Sequence, residues 1–128
     1  MENSTQIHEV ADRLVKSFLP EAVSNQNFFI NDIPTTLQFR EESPVAVSVL
    51  GGLLSAIATC AKNSCIRLTA KLYGNIVFIH VKNSNGFNSH IIQGRLQQLQ
   101  VLAGKTKGAV GFTSHQNAVT SVTFGFCQ

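Results

Sequence analysis

Apolar side chains at Ile7, Val10, Ala11, Leu14, Val15, Phe18 and Leu19 recur at steps of three and one. That spacing gathers them on one face of an amphipathic helix, which the sequence opens near Ser4 or Thr5 and closes at Pro20, over residues 5–19. Such a stripe is core-facing. The period then changes. NFFIND (27–32) is short, aromatic and β-branched and predicts a strand, and TLQFR (36–40) alternates as its partner across Ile33-Pro34.

Ser43 as N-cap, ahead of Pro44 in the first turn, opens a long apolar segment to about Lys62 that reads as a buried helix. CIRLTAKLY (65–73) and NIVFIHVKN (75–83) alternate and meet at Gly74-Asn75, which predicts a hairpin. NSNGFNSH (83–90) reads as a loop, and IIQGRLQQLQVLA (91–103) as a further helix with Gly94 inside it. AVGFTSH (109–115) and AVTSVTFGF (118–126) form a closing hairpin about Gln116-Asn117. Hairpins set between helices predict an α+β class, a two-layer α/β sandwich with one mixed sheet and helices on one face. Residues 1–128 read as a single domain, with no internal repeat.

Composition agrees with a folded globular chain: 44% of residues are hydrophobic and 13% charged. No apolar run reaches the roughly 18 residues of a membrane span, and the opening MENSTQIHEV lacks a basic n-region, so the expected location is cytoplasmic. The net charge of +3 comes from scattered basic residues, with only Lys105 and Lys107 close together, and nucleic acid is not an expected partner. Cys60, Cys65 and Cys127 form no CxxC pair and read as reduced, packed thiols; no metal is expected.

Candidate chemistry is sparse. Gly104-Lys105-Thr106 has Leu99 where a phosphate loop needs its first glycine, and it follows a helix instead of a strand, so Gly104 reads as a helix stop. His8-Glu9 has the order of a phosphoacceptor but no basic residue or proline beside it, and reads as an ordinary exposed histidine. His80, His90 and His115 have no ligand spacing. No Asp or Glu follows Glu42. The C-terminal two-thirds therefore supplies no carboxylate base or carboxylate metal ligand.

One feature of the long helix stands apart: Gly51 and Gly52 fall inside it, at about 1 kcal/mol each relative to alanine. Val49 to Lys71 resembles the helix and strand that carry the Asn-rich box in the ATP-binding catalytic domain of sensor histidine kinases, of the GHKL ATPase superfamily. Asn75 to Phe87 resembles the strand that delivers its Asp-containing glycine box. Leu102 to Phe126 resembles its terminal hairpin, with Thr120 as the closing threonine. By this resemblance Gly52 and Ala56 stand where two asparagines would be, the second of which holds magnesium, and Asn83 stands for the aspartate that accepts from adenine. The box itself becomes Asn83-Ser84-Asn85-Gly86-Phe87, and little chain is left for a nucleotide lid before Ile91.

The resemblance implies a histidine-kinase-type ATPase fold whose magnesium-ATP chemistry is lost, a pseudo-enzyme. It would act by binding a signalling protein or a second copy of itself. Two alternatives follow from the same residues. One is a metal-independent adenine-nucleotide site on Asn83, Gly86 and Thr120, binding ATP or ADP weakly without magnesium. The other is a phosphotransfer-type protein using His8.

Overall fold

The alternation read in the closing segments places their strands in one sheet. The computed structural model describes residues 5–39, 44–87, 89–115 and 118–127. In chain order the elements are β1 (Thr5–Gln6), α1 (Ile7–Ser17), α2 (Leu19–Ser24), β2 (Phe28–Asn31), β3 (Gln38–Phe39), α3 (Pro44–Cys60), β4 (Cys65–Tyr73), β5 (Ile76–Phe87), α4 (Ser89–Gly104), β6 (Ala109–His115) and β7 (Ala118–Cys127). The larger sheet has the order β2-β4-β5-β7-β6. Its β2–β4 pair is parallel and the others antiparallel, so the sheet is mixed.

Inward positions supply the core: Ile66, Leu68 and Ala70 from β4, Val77, Ile79 and Val81 from β5, Val122, Phe124 and Phe126 from β7. Their neighbours Arg67, Lys71, Lys82, Gly111 and Thr113 are exposed on the other face, as a period of two requires. α3 carries nine buried residues around its surface. It is covered by the sheet below and by α1 and α4 beside it, so its hydrophobic pattern runs all round instead of forming a stripe. The α1 stripe faces the core up to Phe18, with Ile7, Val10 and Ala11 buried and Leu14, Val15 and Phe18 packed against the core. Leu19, read as its last member, opens α2 and is exposed.

Three expectations are corrected. Pro20 does not end the first helix in the sense expected: α1 stops at Ser17, and Pro20 sits in the first turn of α2, where its missing N–H leaves no bond unmade. The strands at 28–31 and 38–39 do not pair with each other. β2 joins β4 in parallel, and β3 pairs with β1, with Thr5 opposite Phe39. The stretch 83–90 is not an open loop, since β5 runs to Phe87 and α4 begins at Ser89. Ser43, expected as an N-cap, and the Gln116-Asn117 turn lie outside the described residues.

Side-chain bonds close the remaining seams. Asn27, buried, donates to the carbonyls of Ala58 (3.3 Å) and Ala61 (2.7 Å) and accepts from the Ser64 N–H, which fixes the approach of β2 to the end of α3. Gln100 of α4 exchanges bonds with the backbone N–H and carbonyl of Val110 in β6. Phe39 stacks on Phe126 with ring centroids 5.7 Å apart, seating the small β1–β3 pair against β7. No helix among the described residues is long and apolar enough to cross a membrane.

Candidate functional site

Gly52 and Ala56 project from one face of α3, four residues apart. The face is not open. A β-carbon at position 52 would stand 2.7 Å from Leu99 Cδ2 of α4, and Ala56 is buried. The glycine thus answers to helix packing: it lets α4 lie down on α3, and Leu99 fills the space that a larger residue 52 would take.

Asn83 lies just past the regular pairing of β5 with β7, where the register shifts between Lys82 and Phe87. Its side chain is buried and engaged on both sides. The amide donates to Ser64 Oγ (3.1 Å) and to the Gly86 carbonyl (2.6 Å), and Oδ1 accepts from the Asn85 N–H (3.1 Å). Gly86 holds φ +73°, the left-handed region, which lets its carbonyl turn back onto Asn83. Thr120 lies on β7 within the same shift, half-buried, its Oγ1 3.4 Å from the Thr113 carbonyl.

Asn83 and Thr120 come together at one hollow of about 540 Å³, bordered also by Cys65, Arg67, Lys82 and Ser121. Gly86 reaches it only through its bond to Asn83. Gly52 and Ala56 do not border it; they lie on α3, on the helical side of the sheet. Sequence reading missed Leu99 and Ser64, the contacts that decide what positions 52 and 83 do. It also missed Arg67 and Lys82, which the register sets side by side.

Two of the four histidines are engaged by the chain. His8 is half-buried, not exposed as expected, with Nδ1 2.8 Å from the Ile33 carbonyl. His80 Nδ1 lies 2.9 Å from Thr123 Oγ1, and burial, then the charges of Lys82 and Lys71, hold its imidazole below the ordinary value. His90 is exposed near the start of α4, and the side chain of His115 lies outside the described residues. Cys60, Cys65 and Cys127 are free thiols, and burial pushes the Cys60 thiol up. Among the described residues no three His, Cys, Asp or Glu side chains gather as metal ligands.

No protein-family model matches the sequence, and no curated protein is significantly similar to it. The fold, in contrast, is shared with histidine kinases. A histidine kinase from Burkholderia phymatum superposes with a TM-score of 0.77 at 10% identity, over 99% of this chain and 71% of that one. AdeS of Acinetobacter baumannii gives 0.72 at 11%, over 99% and 68%. The catalytic domain of the histidine kinase ThkA gives 0.71 at 15%, over 99% and 95%. ThkA in complex with the response regulator TrrA gives 0.71 at 16%, over 98% of this chain and 41% of that one. At these identities the likeness is one of fold: that of histidine kinase catalytic domains, the GHKL type.

Proposed function

We propose that this chain uses the fold of a histidine kinase catalytic domain as a signalling interaction module and has lost magnesium-ATP chemistry. The observation that carries this reading is Leu99 seated on Gly52. Where the resemblance places two asparagines, α3 offers no side-chain oxygen, and α4 covers the first position. Magnesium does not fit these residues. Ala56 has no donor atom and is buried, and no carboxylate follows Glu42 to replace it. Asn83 spends both amide protons and one lone pair within the chain, so it offers adenine one neutral acceptor in place of a charged one. ThkA, seen with a response regulator, makes a signalling protein the favoured class of partner.

A second reading rests on Asn83 and Thr120 sharing one hollow. In it, adenine nucleotide binds there without metal. The phosphotransfer alternative would have to use His8 Nε2, since Nδ1 is the nitrogen that meets the Ile33 carbonyl.

Thermal-shift titrations with ATP, ADP and adenosine, each with and without magnesium, test both readings. The interaction module expects no shift that needs magnesium and none from adenosine. A magnesium-dependent shift overturns it, and a metal-free shift from adenosine establishes the second reading in its place.

A further inference from the structure

Four strands carry a continuous row of donors across the face of the sheet that the helices leave open. Arg67 of β4 stands directly opposite Lys82 of β5, Lys82 opposite Ser121 of β7, and Ser121 opposite Thr113 of β6. Like charges directly opposed in an antiparallel pair destabilise it. Here nothing on the strands offsets them: seven basic residues and no acidic ones follow Glu42. Asp32, just past β2, meets Arg67 at 3.2 Å with both side chains about half exposed, a pairing of small worth in water. Lys82 has no ion-pair partner among the described residues. The next row, Thr69, His80 and Thr123, holds no acid either, and the lowered proton affinity of His80 reflects, after burial, the charge of Lys82 and Lys71.

We propose that the hollow on this outer face binds a phosphate-bearing small molecule, its anion held by Arg67 and Lys82 with the hydroxyl of Ser121 as a further donor. A planar guanidinium fork beside an ammonium suits a phosphate dianion. The anion removes the repulsion between the two cations and displaces the weak Asp32 contact. The volume of about 540 Å³ matches a small-molecule pocket, roughly 300–1,000 Å³. A nucleic-acid strand would instead need free aromatic rings along the cationic track. No aromatic ring borders the hollow among the described residues, and Phe78, farther along this face, packs against Tyr73 and His80 with centroids 5.8 and 6.4 Å away. The hollow is the one that the second reading gives to adenine nucleotide, but the anion is held here by Arg67 and Lys82 and needs no contact between Asn83 and a base.

Inorganic pyrophosphate, titrated into the full chain at constant ionic strength, tests the proposal by calorimetry and thermal midpoint. At about 100 times its Kd it raises Tm by on the order of 10 °C. Lys82→Gln weakens pyrophosphate about tenfold while raising the midpoint of the unliganded chain, because one of the opposed charges is gone. Three outcomes overturn the proposal: a shift no larger than sodium chloride gives at equal ionic strength, an affinity that Lys82→Gln leaves unchanged, or a thymidine oligonucleotide that binds where pyrophosphate does not. Adenosine carries no anion and reports on the nucleotide readings alone, so the two proposals fail separately.

Discussion

Leu99 of α4 rests on Gly52 of α3 so closely that a β-carbon at position 52 would stand 2.7 Å from Leu99 Cδ2. The neighbour is the tip of a flexible side chain, so a small addition is absorbed and a large one is not. Gly52→Ala is expected to be near neutral, since relief of the helix-glycine cost of about 1 kcal/mol offsets the crowding. Gly52→Asn, the residue the resemblance would place there, is expected to cost about 1–3 kcal/mol through overpacking. Leu99→Ala should recover part of that loss. Urea unfolding of the two single variants and the double variant measures a favourable coupling of about 1 kcal/mol; strictly additive effects would show that the two side chains do not compete.

The contact explains why the sequence yields one half of this molecule more readily than the other. The β4–β5 hairpin is legible because its alternation and its Gly74-Asn75 turn are adjacent in the chain, and Gly74 takes φ +62° as such a turn requires. α3 is legible for a similar reason: its apolar run needs no partner to be recognised. β2 is not legible in the same way. Its partner β4 lies beyond a whole helix, and Pro34 between two short apolar runs imitates a hairpin whose strands in fact go to different sheets. Position 52 could be singled out as an unexpected glycine, but its reason sits at Leu99, 47 residues along the sequence. Likewise Asn83 could be matched to a family position, yet Ser64 and Gly86, which consume its amide protons, come together only through the fold.

Asn83→Asp restores the residue type that the family resemblance would place there, and it is expected to harm the chain. The carboxylate cannot donate to the Gly86 carbonyl, 2.6 Å from the present amide nitrogen, and it faces that oxygen while buried. The expected loss at neutral pH is about 2 kcal/mol. Burial raises the pKa of the new carboxyl above its unfolded value near 4. Stability is therefore retained below about pH 4 and lost as pH rises through the folded pKa. Chemical unfolding at pH 4 and pH 7 checks this, and a variant equally stable at both would show that the amide protons are not needed.

Thiol chemistry separates the three cysteines by burial. Cys60 is 9% exposed at the end of α3, and burial raises its pKa, so it stays protonated and shielded. Cys65 and Cys127 are only partly buried. With a disulfide reagent under native conditions, labelling of those two is expected first, and Cys60 reacts only at the rate of opening or unfolding. Peptide mapping after brief labelling reads this directly; early modification of Cys60 would place the end of α3 in contact with solvent.

His80 gives the fold a pH dependence of known sign. Burial first, then Lys82 and Lys71, lower its pKa in the folded chain below the unfolded value near 6.5. The unfolded chain therefore binds the proton more readily, and stability falls as pH drops from about 6.5 toward the folded pKa. Above that window both states are neutral at this position and the contribution is constant. His80→Gln keeps a polar partner for Thr123 Oγ1 and removes the titration. The variant is expected to lose less stability than the natural chain between pH 7.5 and 5.5, measured as the change in urea midpoint. The other histidines are common to both chains and cancel in the difference. Equal losses in the two chains would mean that His80 takes up its proton as easily folded as unfolded, and that Lys71 and Lys82 place no effective positive potential on this face.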